Sequence, residues 1–323
     1  VFYSPWLTAA GAAALPLALG TLARFLLRRA DRRLDAHADL SRYATEIHRT
    51  NLGLRALLLS AYAVLVYLLH WPLFVSHSLG LGGVLIVDRV AMLLPVLIGL
   101  GRYWAAAYPA DVRLRGSTWT LGKFLEFRAR TSAGTVLAPI LLLSAAIEGL
   151  MRVPAIERSM VAWPFVEWLV YAASVFLLYV FAPLLLRAVW QAEPLPAGPL
   201  RAELEAVQRR AGFTCRDLLI WKTGGGRIAN ALVIGLMARL RYVIFTDTLL
   251  ERMSPAEVGA VRGHEIGHAR HHHLAYYFGF SLCLVLALTW AQSMLAPYLT
   301  PTRLGATFAE LAGGALTLSV LGA

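Results

Sequence analysis

The residues best suited to chemistry stand together in one short stretch, RGHEIGHARHHH, from Arg262 to His273. This stretch holds five of the chain's nine histidines and one glutamate. His264 and His268 are four residues apart, so on a helix their imidazoles lie on one face, a single turn apart. Two imidazoles at this spacing can bind one Zn²⁺ ion, with each nitrogen roughly 2.1 Å from the metal.

Glu265 is the general base of this hypothesis. It is adjacent to His264 and points about 100° around the helix, where its carboxylate can reach a water on the metal without binding the metal itself. Zinc lowers the pKa of such a water toward about 7 and polarises a scissile carbonyl. Glu265 would accept the proton of this water and later donate it to the leaving amine.

A second interpretation is a basic patch where a helix meets a membrane, with the histidines at the level of the headgroups. It accounts for Arg270, His271 and His272, and we expect His271 and His272 to be solvated. It does not account for a glutamate placed between two histidines in helical phase. With nine histidines and twelve glutamates, chance produces His-Glu-x-x-His about 0.01 times in a chain of this length. The metal interpretation is therefore favoured.

The helix that carries the motif has a clear predicted start. In SPAE, Ser254 is an N-cap, Pro255 occupies the first helical position, and Glu257 reaches back to the cap. No helix breaker follows before Pro297. The helix could therefore continue beyond the motif into the apolar segment that follows it.

Short apolar runs before this helix predict a small sheet of about three strands. Asp217–Thr223 and Arg241–Asp247 are strand candidates, and Ile228–Gly235 is a third that could form an edge able to accept a peptide. Pro199–Ala211 has the apolar stripe of an amphipathic helix. A Pro- and Gly-rich linker, Gln191–Glu203, separates this segment from the chain before it.

The rest of the chain has the composition of a membrane protein. It has 323 residues, 58% of them hydrophobic and 15% charged, with a mean hydropathy of +0.61. Soluble domains carry about 25% charged residues. A helix needs about 20 apolar residues to cross the bilayer. The candidate spans are Trp6–Leu27, Ala56–Val75, Val90–Tyr108, Thr135–Met151, Phe165–Leu186, Leu274–Leu295 and a shorter seventh, Phe308–Ala323.

The positive charges alternate between successive loops. Arg28–Arg55 has seven arginines and Pro109–Ser132 has five Lys/Arg, whereas Ser76–Arg89 has one and Arg152–Pro164 has two. The positive-inside rule puts the rich loops in the cytoplasm, the N-terminus outside and the polar segment Arg187–His273 inside. The net charge of +11 is thus mainly a topology signal, and we expect no nucleic-acid partner.

The predicted fold class is mainly α: a polytopic membrane protein of about seven transmembrane helices with a small α+β, zincin-like cytoplasmic segment. Residues 1–190 form a five-span membrane region, 191–273 the catalytic segment, and 274–323 two further spans, the last incomplete. The two cysteines, Cys215 and Cys283, are expected to be unpaired, structural and not metal ligands.

The stretch VIFTDTLLERMSPAEVGAVRGHEIGHARHHH resembles the active-site region of integral-membrane zinc metalloproteases of the CAAX prenyl endopeptidase and HtpX family. The resemblance also includes Asn230-Ala231, followed by Gly235, and implies that Asn230 and Ala231 belong to a substrate-binding edge. It covers about 50 residues, and the number of spans is more similar to the CAAX-protease branch. The matching features are Thr246-Asp247, Leu249-Leu250, Glu257, Val261, His264, His268 and His273.

The resemblance implies a glutamate as the third zinc ligand, just beyond the seventh span in a Glu-x-x-x-Asp setting. We expect it to lie beyond residue 323, since both ends of the chain look trimmed. Glu310, at the start of the seventh span, is not expected to be a ligand. His273 is expected to support the site through contact with a ligand.

The leading hypothesis is a membrane-embedded zinc endopeptidase that cleaves peptides or membrane proteins at the cytoplasmic side of a bacterial inner membrane. Its partners would be the peptide substrate and the lipid bilayer. The arginine- and alanine-rich composition is typical of a high-GC bacterium, which favours peptide or membrane-protein turnover over prenylated substrates. Two alternatives stay open: a sensor-transducer metalloprotease and an inactive pseudoprotease scaffold. The oligomeric state is left open.

Overall fold

A computed structural model describes residues 4–37, 40–84, 86–163, 165–224, 228–270 and 273–299. The predicted seventh span, Phe308–Ala323, and Glu310 lie outside these ranges. The chain forms two compact units, residues 1–129 and 130–323.

The first unit is built from long apolar helices. α1 packs along both α2 and α4. Glycine residues stand where these helices approach one another closely. A Cβ atom on Gly99 of α4 would lie 2.6 Å from Leu58 Cδ1 of α2, so a side chain at position 99 would force the Leu58 side chain to move. The helices are α1 (Pro5–His37), α2 (Leu40–Tyr67), α3 (Trp71–Leu73), α4 (Val87–Arg115) and α5 (Leu121–Arg128).

One predicted span has different bounds in the structure. Ala56–Val75 was expected to be continuous, but α2 ends at Tyr67, and His70 adopts a left-handed conformation with φ 52° before α3 begins. The physical reason is Pro72, which lacks the backbone N–H that an uninterrupted helix would need at this position. A π-helical turn, Phe74–Ser78, follows directly.

The arginine-rich loops expected between spans are mostly helical. α1 continues to His37 and α2 begins at Leu40, so the segment Arg28–Arg55 is almost entirely helix. Hydropathy detects only the part of a helix that lies in lipid, and arginine is a good helix former outside it. The basic residues therefore stand on helix ends that extend beyond the apolar spans.

The second unit begins with further apolar helices. α8 contacts α12 through the Tyr179 hydroxyl, which lies 2.7 Å from Ser281 Oγ, and through an edge-to-face contact of Tyr179 with Phe278. After a π-helical segment, Ala129–Gly134, these helices are α6 (Thr135–Met151), α7 (Pro154–Ala162), α8 (Phe165–Trp190) and, at the end of the described chain, α12 (His273–Leu299).

The prediction of a polytopic α-helical membrane protein with a small sheet is confirmed. Within the described ranges five helices are long and apolar enough to cross a membrane, and Ala275–Leu284 adds a shorter apolar stretch inside α12. The five are Pro5–Arg33, Leu40–Tyr67, Val87–Arg115, Leu121–Met151 and Trp168–Trp190.

The polar segment of the second unit contains a four-stranded sheet in the order β1-β2-β4-β3. β2 and β4 are parallel, while β1 pairs antiparallel with β2 and β3 pairs antiparallel with β4. The elements are β1 (Glu193–Pro194), α9 (Pro199–Arg210), β2 (Asp217–Trp221), β3 (Ala231–Ile234), β4 (Tyr242–Thr246), α10 (Asp247–Arg252) and α11 (Pro255–Arg270).

Three strands were predicted and a fourth, β1, was not. It has only two residues and lies in the segment that was read as a linker. Proline is tolerated there because β1 is an edge strand. The predicted edge strand Ile228–Gly235 is confirmed as β3, which is shorter but does stand at the other edge of the sheet.

β4 is the centre of this segment. All five of its residues are buried, as expected for a strand with neighbours on both sides and a helical layer over the sheet. Phe245 and Val243 belong to a core that also contains Leu204 of α9 and Val258 of α11. Burial of this apolar surface is what holds α9 and α11 in place relative to the strands.

Candidate active site

The helix of the His-Glu-x-x-His motif, α11, begins with the predicted capping box. The Ser254 backbone N–H donates to Glu257 Oε2 at 2.8 Å, and the Glu257 backbone N–H donates to Ser254 Oγ at 3.4 Å. The N–H and hydroxyl donors of Ser254 lower the pKa of the Glu257 carboxyl group. The prediction of this helix start is confirmed.

One face of α11 is buried against the sheet and α9. Val258, Arg262 and Ile266, spaced by four residues, are 1%, 0% and 4% exposed. Gly259 also faces α9, since a Cβ atom there would lie 3.9 Å from Val207 Cγ2. This buried stripe fixes the rotation of the helix about its axis and therefore the direction of its other faces.

The candidate chemical groups lie away from the buried stripe. His264 is exposed and stands about 180° around the helix from the mean direction of Arg262 and Ile266. Glu265 is half-buried, between the histidine face and the stripe. The backbone is helical without a break from Pro255 to Arg270, so position 268 is one turn beyond position 264 on the same side.

Some predicted site residues lie outside what the structure describes. The side chains of His268 and His273 are among these, as are residues His271 and His272. Within the described residues no group of three or more His, Cys, Asp or Glu could hold a metal ion. What is described fits part of a zinc site, namely a solvent-facing imidazole on an unbroken helix with a carboxylate beside it.

The predicted substrate-binding residues stand at the beginning of the edge strand. Asn230 is exposed, whereas Ala231, the first residue of β3, is 6% exposed and belongs to the core. Contacts between β3 and α11 bring the edge strand beside the helix of the motif. One side of β3 pairs with β4, and no described strand pairs with its other side.

Arg262 is a feature that the sequence reading missed. Its side chain is fully buried, Nη2 donates to Gln208 Oε1 of α9, and Nε and Nη1 are buried without a partner among the described residues. Burial lowers the pKa of the Arg262 guanidinium, and this is opposed by Cys215 and Glu205. The spacing of Val258, Arg262 and Ile266 was the available signal that this arginine faces inward.

Comparisons with known proteins agree with these features. Residues 194–321 match the model of Peptidase family M48. The Protease HtpX homolog of Aeropyrum pernix is 28% identical over 125 residues, which is 38% of this chain and 38% of that relative. The chain therefore matches well under half the length of that curated relative.

A solved structure shares the overall fold. The crystal structure of S. mikatae Ste24p aligns with a TM-score of 0.57 and 16% identity, over 90% of this chain and 72% of that chain. At this identity the likeness concerns the fold. Together with the family match, it confirms the resemblance read from the sequence: the chain is similar to integral-membrane metalloproteases. Among these, the similarity is to proteases of the CAAX-protease and HtpX type.

Proposed function

We propose that this chain is a zinc-dependent endopeptidase that hydrolyses peptide bonds of peptide or membrane-protein substrates at the cytoplasmic side of the membrane. The observation that carries the proposal is the single unbroken helix α11, which holds positions 264, 265 and 268 and lies against the edge strand β3. Chemistry and peptide binding are thus adjacent in one compact segment.

His264 and His268 would hold the metal, together with a third ligand, which the resemblance implies is a glutamate. A bound zinc ion would supply a Lewis acid that polarises the scissile carbonyl and activates water. Glu265, half-buried beside His264, accepts the proton of the attacking water and returns it to the leaving amine. The main chain of β3 aligns the substrate as an added strand.

The metal requirement is tested on the full-length protein purified in detergent. We expect about one zinc ion per chain, and at least a tenfold loss of peptide cleavage after treatment with a chelator, because both the Lewis acid and the activated water are lost. Metal analysis and a quenched-peptide assay measure these two quantities. Stoichiometric zinc should restore cleavage.

The outcomes separate the alternatives. Cleavage that resists the chelator while no zinc is bound would contradict the metalloprotease proposal. Zinc bound without cleavage of any peptide in a broad library would favour the pseudoprotease scaffold. A ligand-binding domain found outside the membrane in the full-length protein would favour the sensor-transducer.

The cytoplasmic placement of α11 is supported by the distribution of arginine, and two reporter positions test it. Arg158 and Arg210 are both exposed. Arg158 lies in α7, which is expected outside, and Arg210 lies at the end of α9, which is expected inside. In a background without Cys215 and Cys283, we expect a membrane-impermeant maleimide to label Arg158→Cys in intact cells and Arg210→Cys only after lysis. The reverse pattern would invert the proposed orientation.

A further inference from the structure

Thr246 occupies the N-cap position of α10 but does not cap this helix. Its backbone has the extended conformation usual for an N-cap, with φ −78° and ψ 149°, yet its side chain makes no hydrogen bond to the first turn. Threonine at this position normally accepts from a backbone N–H two or three residues later. The hydroxyl of Thr246, which is 0% exposed, is therefore used elsewhere.

The hydroxyl is directed at the residue that precedes the edge strand. The Asn230 backbone N–H donates to Thr246 Oγ1 at 2.9 Å, and Thr246 Oγ1 donates to the Asn230 carbonyl at 3.1 Å. The Thr246 backbone N–H also donates to this carbonyl at 3.0 Å. Three hydrogen bonds thus join Asn230, just before β3, to Thr246, the last residue of β4. Without them the β3–β4 ladder would fray at this end.

The next residue, Asp247, binds the beginning of the segment that connects β2 to β3. Its carboxylate accepts the Thr223 backbone N–H at 2.9 Å, the Thr223 hydroxyl at 2.6 Å and the Gly224 backbone N–H at 3.4 Å. Thr246 and Asp247 together therefore fix the two described ends of the segment that leads from β2 to β3.

This arrangement determines which backbone groups of β3 face outward. Residues 231 to 234 pair with 245 to 242 of β4, and the bonds at Asn230 make 230 and 246 a hydrogen-bonded pair. In an antiparallel ladder the direction of the N–H and C=O groups alternates. The backbone groups of Ala231 and Val233 therefore point to the free edge, where an added strand would bind.

We propose that Thr246 is a positioning residue that sets the register of the substrate strand relative to His264 and Glu265. This inference rests on the proposed peptidase function. By holding Asn230, the hydroxyl keeps the donors and acceptors of Ala231 and Val233 at one fixed position along α11. Without it the first residues of β3 separate from β4, and a bound peptide loses its alignment with the catalytic carboxylate.

The test compares Thr246→Val with Thr246→Ser in the full-length protein. Valine keeps the branched shape and removes the hydroxyl, whereas serine keeps the hydroxyl and serves as the control. For Thr246→Val we expect about a tenfold higher KM, a kcat within about threefold of wild type and unchanged zinc content, since uniform binding is lost. Mass spectrometry of the products should show cleavage at additional, neighbouring bonds. Thr246→Ser should match wild type.

Amide hydrogen exchange gives a readout that does not depend on activity. In Thr246→Val the amides of Asn230 and Leu232 should exchange faster by on the order of tenfold, while amides in α11 stay protected. Equal exchange and equal KM in the two variants would overturn the role of Thr246. If the wild-type protein had no peptidase activity but the two variants still differed in exchange, the proposed function would be contradicted. The Thr246 hydroxyl would then only hold β3 against β4.

Discussion

Replacement of Glu265 by glutamine is expected to reduce peptide cleavage by roughly 10²–10⁴-fold without loss of zinc. Glutamine has the size of glutamate but cannot accept the proton of the attacking water. Glu265 lies beside the histidine face of α11 and not on it, so the change removes the base and leaves the ligands. Steady-state kinetics together with metal analysis of the same preparation measure both effects.

Glu257→Gln is the matched control because it makes the same chemical change on the same helix. Glu257 closes the capping box with Ser254, and glutamine can replace glutamate in that motif. We expect cleavage within about twofold of wild type, with at most a slightly lower melting temperature. If Glu265→Gln were as active as Glu257→Gln while zinc stayed bound, Glu265 would not be the base.

Truncation of Phe245 to alanine should have the largest effect on stability. The side chain is 0% exposed in the central strand, where Phe245 lies opposite Ala231 of β3 and Ile220 of β2. Loss of a buried phenylalanine costs about 3–5 kcal/mol, a large part of the roughly 5–15 kcal/mol that holds a folded protein together. Thermal unfolding in detergent and limited proteolysis of the polar segment would report the loss.

Phe165→Ala provides the comparison for this prediction. Phe165 belongs to the same unit, at the start of α8, but is 57% exposed. The same atoms are removed without a buried cavity, so we expect little change in melting temperature and no new cleavage in the polar segment. Equal destabilisation by the two substitutions would mean that the core around β4 does not hold the segment together.

Features that depend on near neighbours in the chain were predictable. The capping box was read from Ser254 and Glu257, residues three apart, and its hydrogen bonds are present. The two predicted strands, Asp217–Thr223 and Arg241–Asp247, each appear two residues shorter, as β2 and β4. In such cases hydrophobic periodicity and helix capping involve residues only a few positions apart. A short stretch of sequence is therefore enough to predict them.

Features that depend on distant contacts were not predictable. Pro194 became part of a strand only because β2, more than 20 residues later, offers an edge. Arg262 looks like a surface residue by type, but the packing of α11 on α9 buries it. Charged residues are rarely buried, so residue type alone would place Arg262 on the exposed side of α11.

The sequence by itself determined that this is a polytopic membrane protein, where α11 begins, and which positions of that helix share a face. These properties follow from hydropathy, charge and helical periodicity, all of which act locally along the chain. Only the tertiary structure decided that the edge strand β3 lies beside α11 and that the Thr246 hydroxyl is used on Asn230 instead of on its own helix. Both results arise from pairing between residues far apart in the chain, where burial of the core selects one arrangement among several that local preferences allow.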